Sequence, residues 1–156
     1  MALNGTSGDD RFRGTIFADE ICGFGGNDIV DGSPGADTIN GGSGEDTVSY
    51  SEFTAGGIFF IPGSAVNVDL ERSVQFGGLA EGDVLIGIEN VEGSRENDVI
   101  RGDGEDNGLH GNGGDDLIEG RGGDDFITGD LIGGFFGVNV PGNDQLDGGA
   151  GNDRLF

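Results

Sequence analysis

Lysine and tryptophan are both absent from this chain of 156 residues, whose only cationic side chains are seven arginines. Against them stand 30 Asp and Glu residues, which give a formal net charge of −23. A protein that binds DNA or RNA needs a basic surface to displace phosphate counterions, so nucleic acid is excluded as a partner. A phosphate-binding P-loop is excluded too, because it requires a lysine. The excess of carboxylates predicts a polyvalent cation as the partner.

Hydrophobic residues are also scarce, at 33% of the chain, so any core must be thin. Cys22 is the single cysteine and cannot form an internal disulfide that would compensate. No apolar run is long enough to span a membrane, and the first residues do not resemble a secretory signal peptide. The 36 glycines and three prolines would be typical of a disordered chain unless they are periodic.

They are periodic, with a repeat of nine residues. Five consecutive units occupy residues 5–49 and six more occupy 93–156, where residues 131–140 are inserted into one unit. The sixth position of the unit is Asp in ten units and Asn in one: Asp10, Asp19, Asp28, Asp37, Asp46, Asp98, Asn107, Asp116, Asp125, Asp144 and Asp153. The eighth position is apolar in every unit: Phe12, Ile21, Val30, Ile39, Val48, Ile100, Leu109, Ile118, Ile127, Leu146 and Leu155.

These two columns predict a stack of short strands. The glycines permit tight turns with positive φ, and the last three residues of each unit form a strand whose middle side chain points inward. One apolar residue per unit cannot be buried alone, so neighbouring units must stack. Strands of about three residues are too short for independent stability, so the turns need further cohesion. Aspartate at a fixed place in each turn provides oxygen ligands of the kind that Ca²⁺ prefers.

The units resemble the RTX nonapeptide GGxGxDxUx, a repeat described as a calcium-binding β-helix motif, over 5–49 and 93–156. The resemblance implies an all-β fold, a right-handed parallel β-roll or β-helix solenoid with Ca²⁺ bound in the turns. It also implies that two nonapeptides form one coil and that each ion lies between unit n and unit n+2. The position-six residues then become metal ligands for about seven or more ions, in the pairs Asp10 with Asp28, Asp28 with Asp46, Asp19 with Asp37, Asp98 with Asp116, Asp116 with Asp144, Asn107 with Asp125, and Asp125 with Asp153.

Two departures from the family pattern bear on the expected sites. Asn107 replaces a carboxylate with a neutral amide, which predicts the weakest site. Phe17 stands at position four of its unit, where the pattern has glycine, and this departure puts the geometry of the Asp19 turn in question.

Residues 50–92 break the period, but Ala65–Leu70 alternates and Asp83–Val91 is a second strand candidate. We expect longer strands that continue the same stack, so that residues 1–156 form one domain. Two apolar segments, Ile58–Ile61 and Leu131–Phe136, are expected to cap the roll or to contact another protein.

The sequence does not favour catalysis. His110 is the only histidine and falls at an outward position, and the carboxylates are explained by metal binding. The resemblance implies a calcium-responsive folding module, part of a secreted bacterial protein exported by type I secretion. An exporter signal beyond the repeats is not in this chain, which predicts that it is a fragment.

The resemblance also leaves an alternative open, a polysaccharide-binding accessory module similar to those of mannuronan C-5-epimerases, which contact alginate. Binding of an anionic uronate would then need a local cluster such as Arg95, Arg101 and Arg121, or calcium bridges. Partners beyond calcium are therefore a neighbouring domain of the parent protein or a polysaccharide, and the sequence leaves the oligomeric state open.

Overall fold

The computed structural model describes residues 1–55, 59–62, 64–130 and 141–156, without the side chains of 52–62. The side chains of the apolar segments Ile58–Ile61 and Leu131–Phe136, which were expected to cap the roll or contact another protein, lie outside the described part of the chain. The described elements are one 3₁₀ turn, Gly78–Ala80, and the strands β1 (Ala2–Asn4), β2 (Arg11–Arg13), β3 (Glu20–Gly25), β4 (Ile29–Asp31), β5 (Thr38–Ser43), β6 (Thr47–Ser49), β7 (Glu52–Ala55), β8 (Phe59–Pro62), β9 (Asn67–Asp69), β10 (Val84–Ile86), β11 (Asn90–Glu92), β12 (Val99–Arg101), β13 (Gly108–Asn112), β14 (Leu117–Glu119), β15 (Phe126–Asp130), β16 (Gln145–Asp147) and β17 (Arg154–Leu155).

The strands are arranged in parallel sheets on two faces. One face is a single seven-stranded sheet in the order β17-β15-β13-β11-β6-β4-β2. The other face consists of two four-stranded sheets, β1-β3-β5-β10 and β16-β14-β12-β9. Strands β7 and β8 form a separate antiparallel hairpin. The prediction of an all-β, parallel β-roll is confirmed.

The register places units n and n+2 side by side. Phe12 pairs with Val30 and Val30 with Val48, while Ile21 pairs with Ile39 on the other face. Two nonapeptides therefore form one coil, as predicted. Nine of the eleven position-eight side chains are buried and form most of the core, together with residues of the 50–92 segment. Leu155 is 42% exposed because β17 is the edge strand of its sheet.

The segment 50–92 differs from its prediction. Besides the hairpin of β7 and β8 it has β9, β10 and β11, each of three residues, instead of two longer strands. Gly87 turns the chain with φ of 56° where one strand was expected. Strand β10 pairs with β5 at one end of the gap and β9 pairs with β12 at the other. Strand β11 lies between β6 and β13 and joins the two repeat blocks on the continuous face.

An ion pair also attaches this segment to the second block. The Arg121 guanidinium donates to both carboxylate oxygens of Asp69 at 2.8 and 2.9 Å and to the Gly102 carbonyl at 2.6 Å. Burial opposes ionisation of Asp69, but these bonds and the arginine charge lower the pKa of its carboxyl. The two-pronged geometry fixes the segment against the turns of the second block.

Candidate metal centre

The position-six side chains form two hydrogen-bonded columns along the edges of the roll. In each predicted pair, the backbone N–H of the unit n residue donates to a carboxylate oxygen, Oδ1, of unit n+2. The distances lie between 2.8 and 3.0 Å in all seven predicted pairs: Asp10 to Asp28, Asp28 to Asp46, Asp19 to Asp37, Asp98 to Asp116, Asp116 to Asp144, Asn107 to Asp125, and Asp125 to Asp153.

The second carboxylate oxygen is without a partner in four of these residues. These oxygens are buried and make no hydrogen bond in the described part of the chain: Oδ2 of Asp28, Asp46, Asp116 and Asp125. Oδ1 of Asp19 is also buried without a hydrogen bond, but it forms an ion pair with the N-terminal amine of Met1 at 2.6 Å. A buried carboxylate oxygen without a partner is strongly unfavourable, so each of the four turns has a place for a cation.

In each of these four turns, the first glycine of the unit lies beside the buried Oδ2. A Cβ at Gly111 would overlap Oδ2 of Asp116 and would come within 2.8 Å of the Gly129 carbonyl oxygen. A Cβ at Gly23 would overlap Oδ2 of Asp28 and the corresponding carbonyl of the next coil. Carboxylate and carbonyl oxygens are the donor set of Ca²⁺, so the residues present fit this ion. The described residues contain no cluster of three or more His, Cys, Asp or Glu.

The stacking of carboxylates changes their ionisation. Burial, reinforced by a neighbouring carboxylate, raises the pKa of Asp116 to about 7 and that of Asp83 to about 7. Burial raises the pKa of Asp98 to about 6. Without a cation, the folded roll therefore holds protons that the unfolded chain releases at neutral pH.

This difference in proton binding between the folded and the unfolded chain predicts that acid favours folding without calcium and opposes folding with calcium. A carboxyl whose pKa is raised by folding adds stability below its unfolded value, and this stability is lost as pH rises through the folded value. In calcium-free buffer, lowering the pH from about 8 to about 5 therefore increases the β signal in circular dichroism. In calcium, the same change raises the ion concentration needed for folding, because protons compete for the carboxylates. A calcium-free β signal that falls on acidification would contradict this prediction.

Two residues of the columns were missed in the sequence. The N–H of Asp37 donates to Asp83 Oδ1 and that of Asp46 to Glu89 Oε2, both at 2.8 Å. Asp83 and Glu89 thus continue the two columns of the first block. A signal was available, because residues 78–86 read GLAEGDVLI, with Asp83 at position six and Leu85 at position eight.

Position five forms a second ladder that sequence reasoning also missed. Here the side chain of unit n accepts from the backbone N–H of unit n+2, opposite in direction to the position-six bonds. The bonded pairs are Asp9 with Asn27, Asn27 with Glu45, Asn97 with Asp115, Asp106 with Asp124, Asp115 with Asn143, and Asp124 with Asn152. The signal was the column itself, since eight of the eleven residues at position five are Asp or Asn.

His110, the only histidine, and Tyr50 lie outside the columns, and both have polar neighbours within the fold. His110 is half-buried, lies 3.2 Å from the Thr128 hydroxyl and packs edge-on against Phe126. The Tyr50 side chain is fully buried, and its hydroxyl donates to Asp83 Oδ2 at 3.0 Å.

Comparison with known families agrees with this geometry. The sequence model of the RTX calcium-binding nonapeptide repeat (4 copies) matches residues 4–38, 23–52, 83–118, 104–131 and 141–156. One of these matches begins at Asp83 and therefore includes the two missed residues of the columns. No curated protein matches the chain significantly.

Proposed function

Because this chain belongs to the RTX calcium-binding nonapeptide repeat family, we propose that it is a module whose folding is driven by Ca²⁺. The four buried carboxylate oxygens without partners support this proposal best. In the absence of a cation they oppose the stacked fold, and an ion that neutralises them contributes its binding free energy to folding. The family is a repeat module that binds calcium and not a catalytic family.

The ligands we propose are the eleven position-six residues, shared between units n and n+2 as the seven pairs describe. The pairing supplies places for about seven ions, and Asp83 and Glu89 extend the columns. Each hydrogen-bonded pair brings two carboxylates, or a carboxylate and the Asn107 amide, to one edge of the roll. Asn107 remains the ligand with the lowest charge.

We further propose that residues 1–156 form a single folded unit. The seven-stranded sheet supports this, because it contains strands of both repeat blocks with β11 between them. The ion pair of Arg121 with Asp69 also supports it, because it joins the 50–92 segment to the second block.

The proposed setting is a secreted bacterial protein that uses type I secretion. RTX repeats are typical of secreted bacterial proteins. The structure contains no helix, within its described residues, that is long and apolar enough to cross a membrane. Calcium is scarce in the cytosol and millimolar outside, so a chain that folds only with calcium stays unfolded until it is exported.

The ion pairs of the arginines disfavour the polysaccharide alternative. Arg101 lies 2.6 Å from a Glu119 oxygen, and Arg121 binds Asp69 and lies 3.3 Å from Glu71. An anionic uronate would have to compete with these carboxylates for the guanidinium groups. Two members of the candidate cluster are therefore engaged within the protein.

Calorimetry tests the proposed function against this alternative. We expect a titration of Ca²⁺ into the metal-free protein to release large heats that saturate at several ions per chain. A titration of an oligouronate into the calcium-loaded protein is expected to give only the heat of dilution. Saturable heat with the oligouronate would favour the polysaccharide module, and absence of saturable heat with calcium would refute the folding module.

A further inference from the structure

Nine of the eleven repeat turns are of two kinds, distinguished by the residue at position two. In five units, this residue bonds to the position-six side chain of its own turn: Thr6, Thr15, Ser33, Ser94 and Asp103. We call these the capped turns. In four other units the position-two residue makes no such bond, and Oδ2 of the position-six residue is buried without a partner. We call these the open turns, and they are the turns of Asp28, Asp46, Asp116 and Asp125.

A capped turn gives its position-six side chain hydrogen bonds that do not require an ion. In the Asp19 turn, the Thr15 backbone N–H and hydroxyl donate to Oδ2 at 2.6 and 2.9 Å. In the Asp98 turn, Ser94 donates through its backbone N–H and its hydroxyl at 2.5 and 2.9 Å. Such bonds to a carboxylate are charge-assisted and supply in part what a cation would supply.

An open turn has its position-two residue in the left-handed region. The φ angles are 74° at Phe24, 111° at Gly42, 79° at Asn112 and 77° at Arg121. At three of these turns the strand continues to position two, so that Phe24 pairs with Gly42 and Asn112 with Asp130. This conformation leaves Oδ2 of the position-six residue buried and without a partner.

Position four varies with the kind of turn. The open turns all have glycine there, with φ of 100° at Gly26, 139° at Gly44, and 102° at both Gly114 and Gly123. Three capped turns have Phe17, Glu96 or Glu105 instead, and the N–H of each donates to the position-two side chain. These three residues have no positive φ. The departure at Phe17 is therefore explained, since a capped turn does not need glycine at position four.

From this division we infer that Ca²⁺ binds at the open turns and that the capped turns close without an ion. The inference rests on the proposed function and narrows its ligand set, because the position-six residues of the capped turns are no longer ligands. In the first block it makes one edge a metal-free edge, because Asp19 and Asp37 are capped and Oδ2 of Asp83 accepts the Tyr50 hydroxyl. Calcium then binds the opposite edge, at Asp28 and Asp46. The number of ions is smaller than the seven that pairing alone supplies.

Asp37 and Asp46 offer a matched test. Each is 1% exposed, each accepts a backbone N–H at 2.8 Å from the preceding coil, and each donates at 2.8 Å to an acidic residue of the interruption. They differ in that Ser33 caps Asp37. Native mass spectrometry of the calcium-saturated proteins counts the ions. We expect Asp46→Asn to lose at least one ion relative to the original chain and Asp37→Asn to lose none.

A gain of binding gives a second measurement that does not depend on a damaged fold. Ser94→Gly combined with Glu96→Gly removes the cap of Asp98 and gives the unit GGRGNDVIR, which has the open pattern. We expect one additional ion in this double variant. Equal ion losses in the two Asn variants, or an unchanged count in the double variant, would overturn the division of turns while leaving the folding module intact. An original chain that takes up no calcium would refute the proposed function itself.

Discussion

In calcium-free buffer at neutral pH, this chain gives the far-ultraviolet circular dichroism spectrum of a coil, and millimolar Ca²⁺ converts it cooperatively to a β spectrum. The expected change is large because eleven of the seventeen described strands are two or three residues long, and most of these bury a single apolar side chain. Such strands are too short to be stable unless their turns are held together. The 30 carboxylates oppose stacking until ions neutralise those inside the turns.

Magnesium provides the control for this experiment. Mg²⁺ has the same charge but requires a small octahedral site and retains its water molecules, so it is expected not to induce the β spectrum at equal concentration. Sodium chloride at matched ionic strength separates screening from binding, since it weakens repulsion between exposed charges only. A β spectrum that persists in excess chelator at neutral pH would show that the roll is stable without metal.

Replacement of Gly111 by alanine is expected to raise the calcium concentration for half-folding by about tenfold or more, which corresponds to about 1.4 kcal/mol for each ion taken up on folding. The added Cβ overlaps the buried Oδ2 of Asp116, an oxygen that we assign to the ion, and lies close to the Gly129 carbonyl. Movement of either oxygen disturbs the site and also the hydrogen bond that joins Asp116 to Asp98. Circular dichroism during a calcium titration measures the midpoint.

Gly104→Ala is the matched control in the same block. Gly104 is exposed, has no positive φ, and a Cβ there meets no atom within 4 Å. We expect its midpoint to stay within about twofold of the original chain, since surface substitutions of this kind change stability by about 0.5 kcal/mol or less. Equal midpoints for the two variants would show that the space beside Gly111 is not needed for the ion.

The periodic part of the fold was predictable because each unit repeats the same local chemistry. Asp at position six and an apolar residue at position eight specify the turn and the inward side chain, and the burial of Ile100, Leu109 and Ile118 follows directly. The n to n+2 register came from the resemblance to the family. It is visible in the structure as a spacing of 18 residues between Val30 and Val48.

The 50–92 segment was harder to predict because its residues act through tertiary contacts. The order of β10 and β9 on their face depends on which repeat block each strand meets, and no local pattern specifies that choice. The bond from Tyr50 to Asp83 joins residues 33 positions apart and belongs to no motif. The residues at position two could be read from the sequence. Only the hydrogen bonds from Thr15 and Ser94 to the carboxylates show that these two turns are of one kind.

The break on one face of the roll gives it a mechanical weak point. Strand β10 ends one four-stranded sheet and β9 begins the other, so among the described strands only β11 spans the middle of the roll. A force that pulls the two blocks apart meets the hydrogen-bond ladders of β11 on one face. On the other face, the ion pair of Arg121 with Asp69 joins β9 to the second block and does not cross the break. Under tension the first rupture therefore falls between the blocks, and each block keeps its own stack of coils.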